Sequence, residues 1–443
     1  MKSTKLKIAT LALTITVIGG MLSGCKGSTE VTATATANKV TKPVQIEFWY
    51  GLGGKLGETM EAKIKAFNSS QQEVIVTGVA QGSYKETYEA LQAAIAAKKA
   101  PASVLLSYGQ MTTLANKKVL ASLDEFIKKD KDIKTEDYSP SFYKEGTIGS
   151  KQYALPMYGT TQVMYYNKSM LESINTKPED LKNWEDVYEA AKKMTKVSGK
   201  ETSVYGFEPM SGADNLNDMA LSNGGSFLSE DKKTVTIDSK EWIDSYEAVR
   251  KAIFYDKTMR IHSGGQGWEY WYATIADVMQ GRAAGYLGSS GDQGDLDFNK
   301  LVAAPQPGFN GKKASPVAEA LTIAEPAITP KDQQEAAYKW MKYFTSSEQT
   351  ADWSIKTGYI SVRTSATEVA AYKDYAKTHP QILVPITQAK TASLPFIDPT
   401  GGKITDALAK AADKVEIQNI PANVALKDAA KEAQTALDAV VNK

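Results

Sequence analysis

Residues 44–54 read VQIEFWYGLGG, and Val44, Ile46, Phe48 and Tyr50 fall on one face of a strand. Gly51, Gly53 and Gly54 mark a tight turn directly after it. Leu56, Met60, Ile64 and Phe67 then recur at helical spacing as far as Asn68. A second strand follows at 74–79, VIVTGV. Tyr84, Tyr88, Leu91 and Ile95 form a second amphipathic helix that stops before Pro101. Val104 to Leu106 makes a third, buried strand. A strand–helix–strand–helix–strand opening implies an α/β fold with a parallel sheet and crossover helices. Ligands of such sheets sit at the carboxyl ends of the strands.

The chain has 443 residues, long for one hydrophobic core, so two lobes are expected. Its 42% hydrophobic and 23% charged residues are ordinary for a globular protein. The net charge is +1, and only Arg250, Arg260, Arg282 and Arg363 among the 52 basic residues are arginines. That balance gives no nucleic-acid footprint and little bidentate phosphate-gripping capacity. Two histidines and one cysteine leave no material for an intrachain disulfide, a four-cysteine zinc site or a His-rich metal centre. We expect no cofactor and no metal.

The N-terminus carries an address. Lys2, Lys5 and Lys7 precede an apolar run from Ile8 to Leu22, which is short for a membrane span and right for a signal peptide. It ends in Leu22-Ser23-Gly24-Cys25, which looks like a bacterial lipoprotein box. The reading is a signal peptide over 1–24, a diacylglycerol on Cys25 and a small, polar tether over 25–42. The expected location is the outer face of the bacterial cytoplasmic membrane.

Motifs for catalysis or nucleotide binding are missing or broken. Gly51-x-Gly53 lacks the third glycine of a dinucleotide loop, which falls one residue late at Gly57. Asp295, Asp297 and Asn299 start like a calcium loop, but Lys300 and Gln306 stand where its glycine and glutamate belong. Three polar, glycine-bearing loops remain, at 211–215, 263–265 and 288–291, with Trp268, Tyr270, Trp271 and Tyr272 between the last two. Helical spacing returns at 335–353 through Ala336, Trp340, Tyr343 and Phe344, and the last 40 residues are Ala-rich and helical.

Several segments in order resemble the extracellular solute-binding proteins of ABC importers, the family that includes maltose-binding and glycerol-3-phosphate-binding proteins. They are Phe48-Trp49-Tyr50 with Ala66-Phe67-Asn68, Ala100-Pro101-Ala102, Tyr153-Ala154-Leu155-Pro156, Val163 to Lys168, Asn183-Trp184-Glu185-Asp186, Met279 to Ala284, Lys356-Thr357-Gly358-Tyr359 and Ala425 to Ala429. The resemblance implies a type II periplasmic-binding-protein-like fold, with two α/β lobes joined by hinge crossovers near 156–159, 317–320 and 361–364. Lobe 1 would be 43–157 plus 319–362, and lobe 2 would be 158–318 plus 363–443. A solute would bind between the lobes and close them, and a monomeric binder would hand it to the permease subunits.

Transferred one at a time, family positions place Tyr84, Thr160, Ser289 and Tyr359 against the ligand. Three departures separate the chain from the glycerol-3-phosphate branch. Tyr108 stands where that branch has a carboxylate, Glu319 stands at a close-packed glycine, and no arginine follows Arg363. A phosphate beside Glu319 and without that arginine would be poorly compensated. Tyr84, Tyr108, Tyr158, Trp268 and Trp271 offer flat faces that suit sugar rings, and Asp214, Asn215 and Glu319 offer hydrogen bonds to hydroxyls. The expected ligand is therefore a carbohydrate, with glycerol-3-phosphate or a glycerophosphodiester as the alternative.

Overall fold

The structure is a computed structural model that describes residues 42–441. The signal peptide, Cys25 and all but the end of the tether lie outside the described residues. The opening units form as their spacing predicts. Strand β1 (Val44–Tyr50), helix α1 (Gly54–Ser70), strand β2 (Val74–Ala80), helix α2 (Tyr84–Ala96), strand β3 (Ser103–Leu106) and helix α3 (Tyr108–Asn116) follow in order. β1 lies between β2 and β3 with both pairs parallel, Val44 facing Val74 and Phe48 facing Ser103. Ser83 caps α2 by accepting from the Glu86 amide at 3.2 Å. Ser107 and Gln110 do the same work for α3 as a capping box.

One long strand then organises the rest. β4 (Ala154–Asn167) belongs to both halves of an eight-stranded sheet, in which seven strands run in the order β2-β1-β3-β8-β4-β6-β5 and the eighth, β7, pairs with β4 off this path. The later strands are β5 (Glu208–Pro209), β6 (Gly285–Ser289), β7 (Leu301–Ala304) and β8 (Ala318–Ala324). β8 runs antiparallel to β4 from Ala154↔Ala324 to Thr161↔Ala318. From Gln162 onward β4 pairs instead with β6 (Ser289↔Gln162) and then β7 (Leu301↔Asn167). The changeover therefore falls at Thr161–Gln162, slightly beyond the 157/158 boundary expected from sequence.

Each half has its own core. Phe48, Phe67, Trp340, Phe344 and Trp353 pack in the first, with Trp340 edge-on to Phe67 at 5.4 Å. Trp184, Trp242, Tyr246, Leu408 and Leu426 pack in the second, so the Ala-rich tail closes lobe 2. That tail forms two helices, Lys403–Glu416 and Ala422–Val441, separated by Asn419 in the left-handed region (φ 56°) and Pro421. The expected continuous helix at 335–353 is also two, Lys331–Phe344 and Ser347–Thr357, because Ser346 caps a new helix by accepting from the Gln349 amide at 3.3 Å.

At 361–364, where the sequence places a third crossover, the chain keeps its contacts with the first core. Ala366, Tyr372 and Ile382 share a small core with Ala351, so this segment stays packed on lobe 1. Arg363 donates to the Thr345 and Lys134 carbonyls at 2.6 and 2.7 Å, which fixes the chain there. Contacts with the second half of β4 and the segment before β8 come later, where Gln388 reaches the Gln162 carbonyl at 2.6 Å and Ser393 bridges Val317.

Trp340 is wholly buried at the junction of β1, α1 and its own helix. Trp340→Ala should cost about 3–5 kcal/mol of stability, read by urea unfolding. A loss below about 1 kcal/mol would mean that this lobe is not held by the aromatic core described.

Candidate functional site

A cavity of about 230 Å³ lies where the two halves of the sheet meet. Lobe 1 lines it with Leu52 and Gly53 from the turn after β1, Leu56 from the first turn of α1, Tyr84 from the start of α2, and Ser107 after β3. These are the carboxyl ends of parallel strands, where such sheets bind ligands. Lobe 2 lines it with Met210–Ser211, the helix Ala213–Ser222, the helix Glu269–Met279 and the loop after β6.

The aromatic wall follows from helical spacing. Trp268, Trp271 and Tyr272 stand at i, i+3 and i+4, so one helix face presents all three. Trp268 meets Trp271 edge-on at 5.8 Å and Tyr84 edge-on at 5.7 Å across the lobes. Trp271 Nε1 donates to Asp292 Oδ1 at 2.8 Å, and the Tyr286 hydroxyl donates to Asp292 Oδ2 at 3.2 Å. Burial pushes the Asp292 carboxyl up to about 8 despite those two donors.

The polar side is built on β4 and β8. Thr160 faces Glu319 across the strand pair, and Thr160 Oγ1 shares a hydrogen bond of 3.3 Å with Ser289 Oγ. Ser289 Oγ also accepts from the Gly291 amide at 3.0 Å, so its hydroxyl is oriented by the loop. Among the described residues no donor reaches the Glu319 carboxyl. Burial raises it to about 8, and Asp214 and Asp218 push in the same direction. Asp214 is accessible from the cleft yet enclosed by both lobes, and that enclosure lifts its carboxyl above the usual range. Asp218, by contrast, is buried and satisfied. It accepts from Val317 N at 2.8 Å and Gln306 Nε2 at 2.6 Å, tying lobe 2 to the start of β8. Asn215 spends its amide on the Met210 and Leu287 carbonyls, both at 3.2 Å, which holds the Ala213–Ser222 helix against β6.

Nine of the eleven residues expected from sequence line the cavity: Tyr84, Thr160, Asp214, Asn215, Trp268, Trp271, Ser289, Glu319 and Tyr359. Two do not. Tyr158 is fully buried behind it, stacked on Tyr359 at 4.4 Å and Trp353 at 5.3 Å, with its hydroxyl 3.0 Å from that of Tyr84. Tyr108 points from the first turn of α3 into the lobe 1 core beside Met111 and Leu114. Sequence reasoning left out Ser107, Gln162, Tyr270, Tyr272, Asp292 and Asp295. Tyr272 was recoverable from its spacing to Trp268. Asp292 follows the Ser289 loop directly, but only the fold aims it at Trp271.

The lining residues include four acids, Asp214, Asp292, Asp295 and Glu319, and no Lys, Arg or His. A cluster elsewhere, Glu208, His262 and Asp277, has donor atoms close enough to hold a metal ion. Arg260 pairs with both of its carboxylates and Arg282 pairs with Asp277, so two guanidiniums already neutralise them. Among the described residues no helix is long and apolar enough to cross a membrane.

Known proteins agree with this architecture. The glycerol-3-phosphate-binding periplasmic protein UgpB of Salmonella typhimurium is 20% identical over 346 residues, covering 76% of this chain and 78% of its own. UgpB of Mycobacterium tuberculosis, solved with glycerophosphocholine, superposes with a TM-score of 0.78 at 20% identity over 90% of this chain and 100% of that one. The GacH receptor of Streptomyces glaucescens, solved unliganded and with acarbose, gives 0.76 at 17% identity over 89% and 99%. MalE of Bdellovibrio bacteriovorus, bound to maltotriose, gives 0.76 at 20% identity over 90% and 100%. These likenesses establish the type II two-lobed fold. The family model for bacterial extracellular solute-binding proteins matches residues 62–380, most of the chain. The chain belongs to the bacterial extracellular solute-binding proteins, the extracytoplasmic solute-capturing components of ABC importers rather than enzymes.

Proposed function

We propose that this protein captures a neutral carbohydrate between its lobes and delivers it to membrane permease subunits. The observation that carries the reading is the cavity wall: aromatic faces opposite carboxyls, with no basic side chain among the lining residues. Sugar rings present C–H faces to Trp268 and Trp271 and hydroxyls to Asp214, Thr160, Ser289 and Glu319. Glu319 and Asp214, which meet no donor among the described residues, have hydrogen-bonding capacity left for a ligand. A phosphate ester would meet carboxyl groups and no basic side chain among the lining residues, which disfavours the glycerol-3-phosphate alternative despite the relatives that bind it. The fold neighbours solved with acarbose and maltotriose support the carbohydrate class. The lobes are 43–161 with 318–382, and 162–317 with 390–443, a division that follows the β4 changeover and the packing of Tyr372 and Ile382.

The Leu22-Ser23-Gly24-Cys25 box supports a diacylglycerol on Cys25 that tethers the binder to the outer face of the cytoplasmic membrane. Cys25→Ala should release it from membranes or leave it unprocessed. Metabolic labelling that finds no acyl chain on the wild type would end the anchor reading.

The sign of the Glu319 effect separates sugar from phosphate. Its carboxyl sits near 8, so at pH 9 it is ionised and at pH 6 it carries its proton. Hydrogen bonds to a charged acceptor exceed those to a neutral one by roughly 1–1.5 kcal/mol. At pH 9, Glu319→Gln should therefore weaken sugar binding about tenfold, near 1.4 kcal/mol. At pH 6 the glutamine resembles the protonated acid and the two proteins should converge. Titration calorimetry gives the sign directly. Tighter binding of glycerol-3-phosphate by the Gln variant at pH 9, with no sugar bound by either protein, would replace the carbohydrate reading with its alternative.

A further inference from the structure

Glu319 owes its place to its backbone, since no donor among the described residues meets its side chain. It sits near the start of β8, between Val317 and Ala320, and buried carboxyls hold both of those amides. Asp218 of lobe 2 accepts from Val317 N at 2.8 Å. Glu145 Oε2 of lobe 1 accepts from Ala320 N at 2.7 Å.

The β-ladders leave the Ala320 amide without a strand partner. Its register partner is Gly159, whose amide and carbonyl both bond to Ile360 at 2.8 Å. On the other side β3 pairs with β8 only from Leu106↔Thr322 to Val104↔Ala324, and ends before it reaches Ala320. Ala320 is fully buried, so its amide needs an acceptor inside the protein. The Glu145 carboxyl stands where a neighbouring strand would otherwise continue.

The short helix Pro140–Glu145 delivers that carboxyl. Pro140 starts the helix at its first turn. Phe142 and Glu145 are three residues apart and share a helix face. Phe142 lies against Gly159, where a Cβ would strike its ring, and Glu145 meets Ala320, directly across the strand pair. Gly146, just past the helix, passes so near β4 that a Cβ would strike the Ala154 carbonyl. The helix is thus clamped on the strand pair one register step from Thr160 and Glu319.

Glu145 does not line the cavity, is 5% exposed, and its Oε1 has no partner among the described residues. Burial raises its carboxyl to about 9, and Glu319 pushes it the same way. The Tyr108 hydroxyl is its other titratable neighbour. Glu145 therefore carries its proton at neutral pH, where glutamine copies its shape, charge and accepting oxygen.

We infer that Glu145 is the positioning residue for Glu319: its carboxyl holds the Ala320 amide in place of a strand and so fixes the backbone that aims Glu319 at the solute. This rests on the reading that puts sugar hydroxyls against Glu319. Asp218 acts at Val317 from the other lobe, so the segment that carries Glu319 is gripped from both sides.

The probe for titration calorimetry at pH 7 is the tightest binder to the wild-type protein among linear glucans with α-1,4 and β-1,4 linkages, xylans and mannans of one to four units. Glu145→Met, which fills the space without an acceptor, should weaken its binding about fivefold or more. Glu145→Asp, which withdraws the carboxyl by one methylene, should act in the same direction. Glu145→Gln should bind within about twofold of wild type. In a Glu319→Ala background, Glu145→Met should change affinity by less than about twofold, because nothing is left to position. Hydrogen exchange in the unliganded proteins reads the contact itself: the Ala320 amide should exchange at least about tenfold faster in Glu145→Met than in wild type or Glu145→Gln. Unchanged exchange at Ala320 in Glu145→Met, a Gln variant as weak as the Met variant, or a full Met effect without the Glu319 side chain would each overturn the inference and leave sugar binding intact. No binding of any of these sugars, with fast exchange at Ala320 in Glu145→Met, would remove the carbohydrate reading and leave Glu145 as the holder of the Ala320 amide.

Discussion

The structure depends on one strand serving two sheets. The first half of β4 is paired with β8 and the second half with β6 and β7, so neither lobe can separate from the other without breaking a β-ladder. Relative motion of the lobes must be absorbed by backbone torsions where the pairing changes, at Thr161–Gln162 and at the start of β8. Thr160 and Glu319 are a register pair at that point, and both face the cavity. On the proposed lobe division, hinge and solute cavity are neighbours along the same two strands. Gly159, one residue earlier, has no room for a side chain, since a Cβ there would meet the Phe142 ring and Ile360.

Electrostatics give this hinge its chemistry. A buried carboxyl is costly unless donors meet it. Asp218 is met by Val317 and Gln306, and Asp292 by Trp271 and Tyr286. Among the described residues Glu319 receives none, and burial with the neighbouring acids Asp214 and Asp218 holds it above the usual carboxylate range. The fold bears this unfavourable term at the place where a ligand with hydroxyl donors would relieve it. The aromatic wall across the cavity supplies area rather than charge, through rings fixed by the Trp271–Asp292 and Trp268–Gly51 hydrogen bonds.

Local periodicity made the first three strands and two helices legible, because each buries one face against a neighbour close in sequence. Segment order identified the family; four of the nine cavity residues, Tyr84, Thr160, Ser289 and Tyr359, came from family positions, and the rest from the polar loops, the aromatic cluster and the departure at Glu319. What failed did so for physical reasons. Tyr108 stands at a position aligned with a carboxylate, but the first turn of α3 turns it toward Met111 and the core. Tyr158 shares the strand face of Thr160, yet Tyr84 and Tyr359 cover it. Neither covering can be read from spacing. Ala366, Tyr372 and Ile382 make a tertiary contact with Ala351 that spacing in an unremarkable polar stretch does not reveal. Asp292 and Asp295 belong to the site only through a turn that brings them under Trp271 and beside Lys55.

If β4 and β8 form a hinge with the solute cavity at its root, filling the cavity must change how the lobes sit. Small-angle scattering on the protein with and without a saturating oligosaccharide, at a concentration where calorimetry shows stoichiometric binding, measures this directly. The account predicts a smaller radius of gyration for the loaded protein than for the empty one. Identical scattering from the empty and fully loaded forms would contradict it.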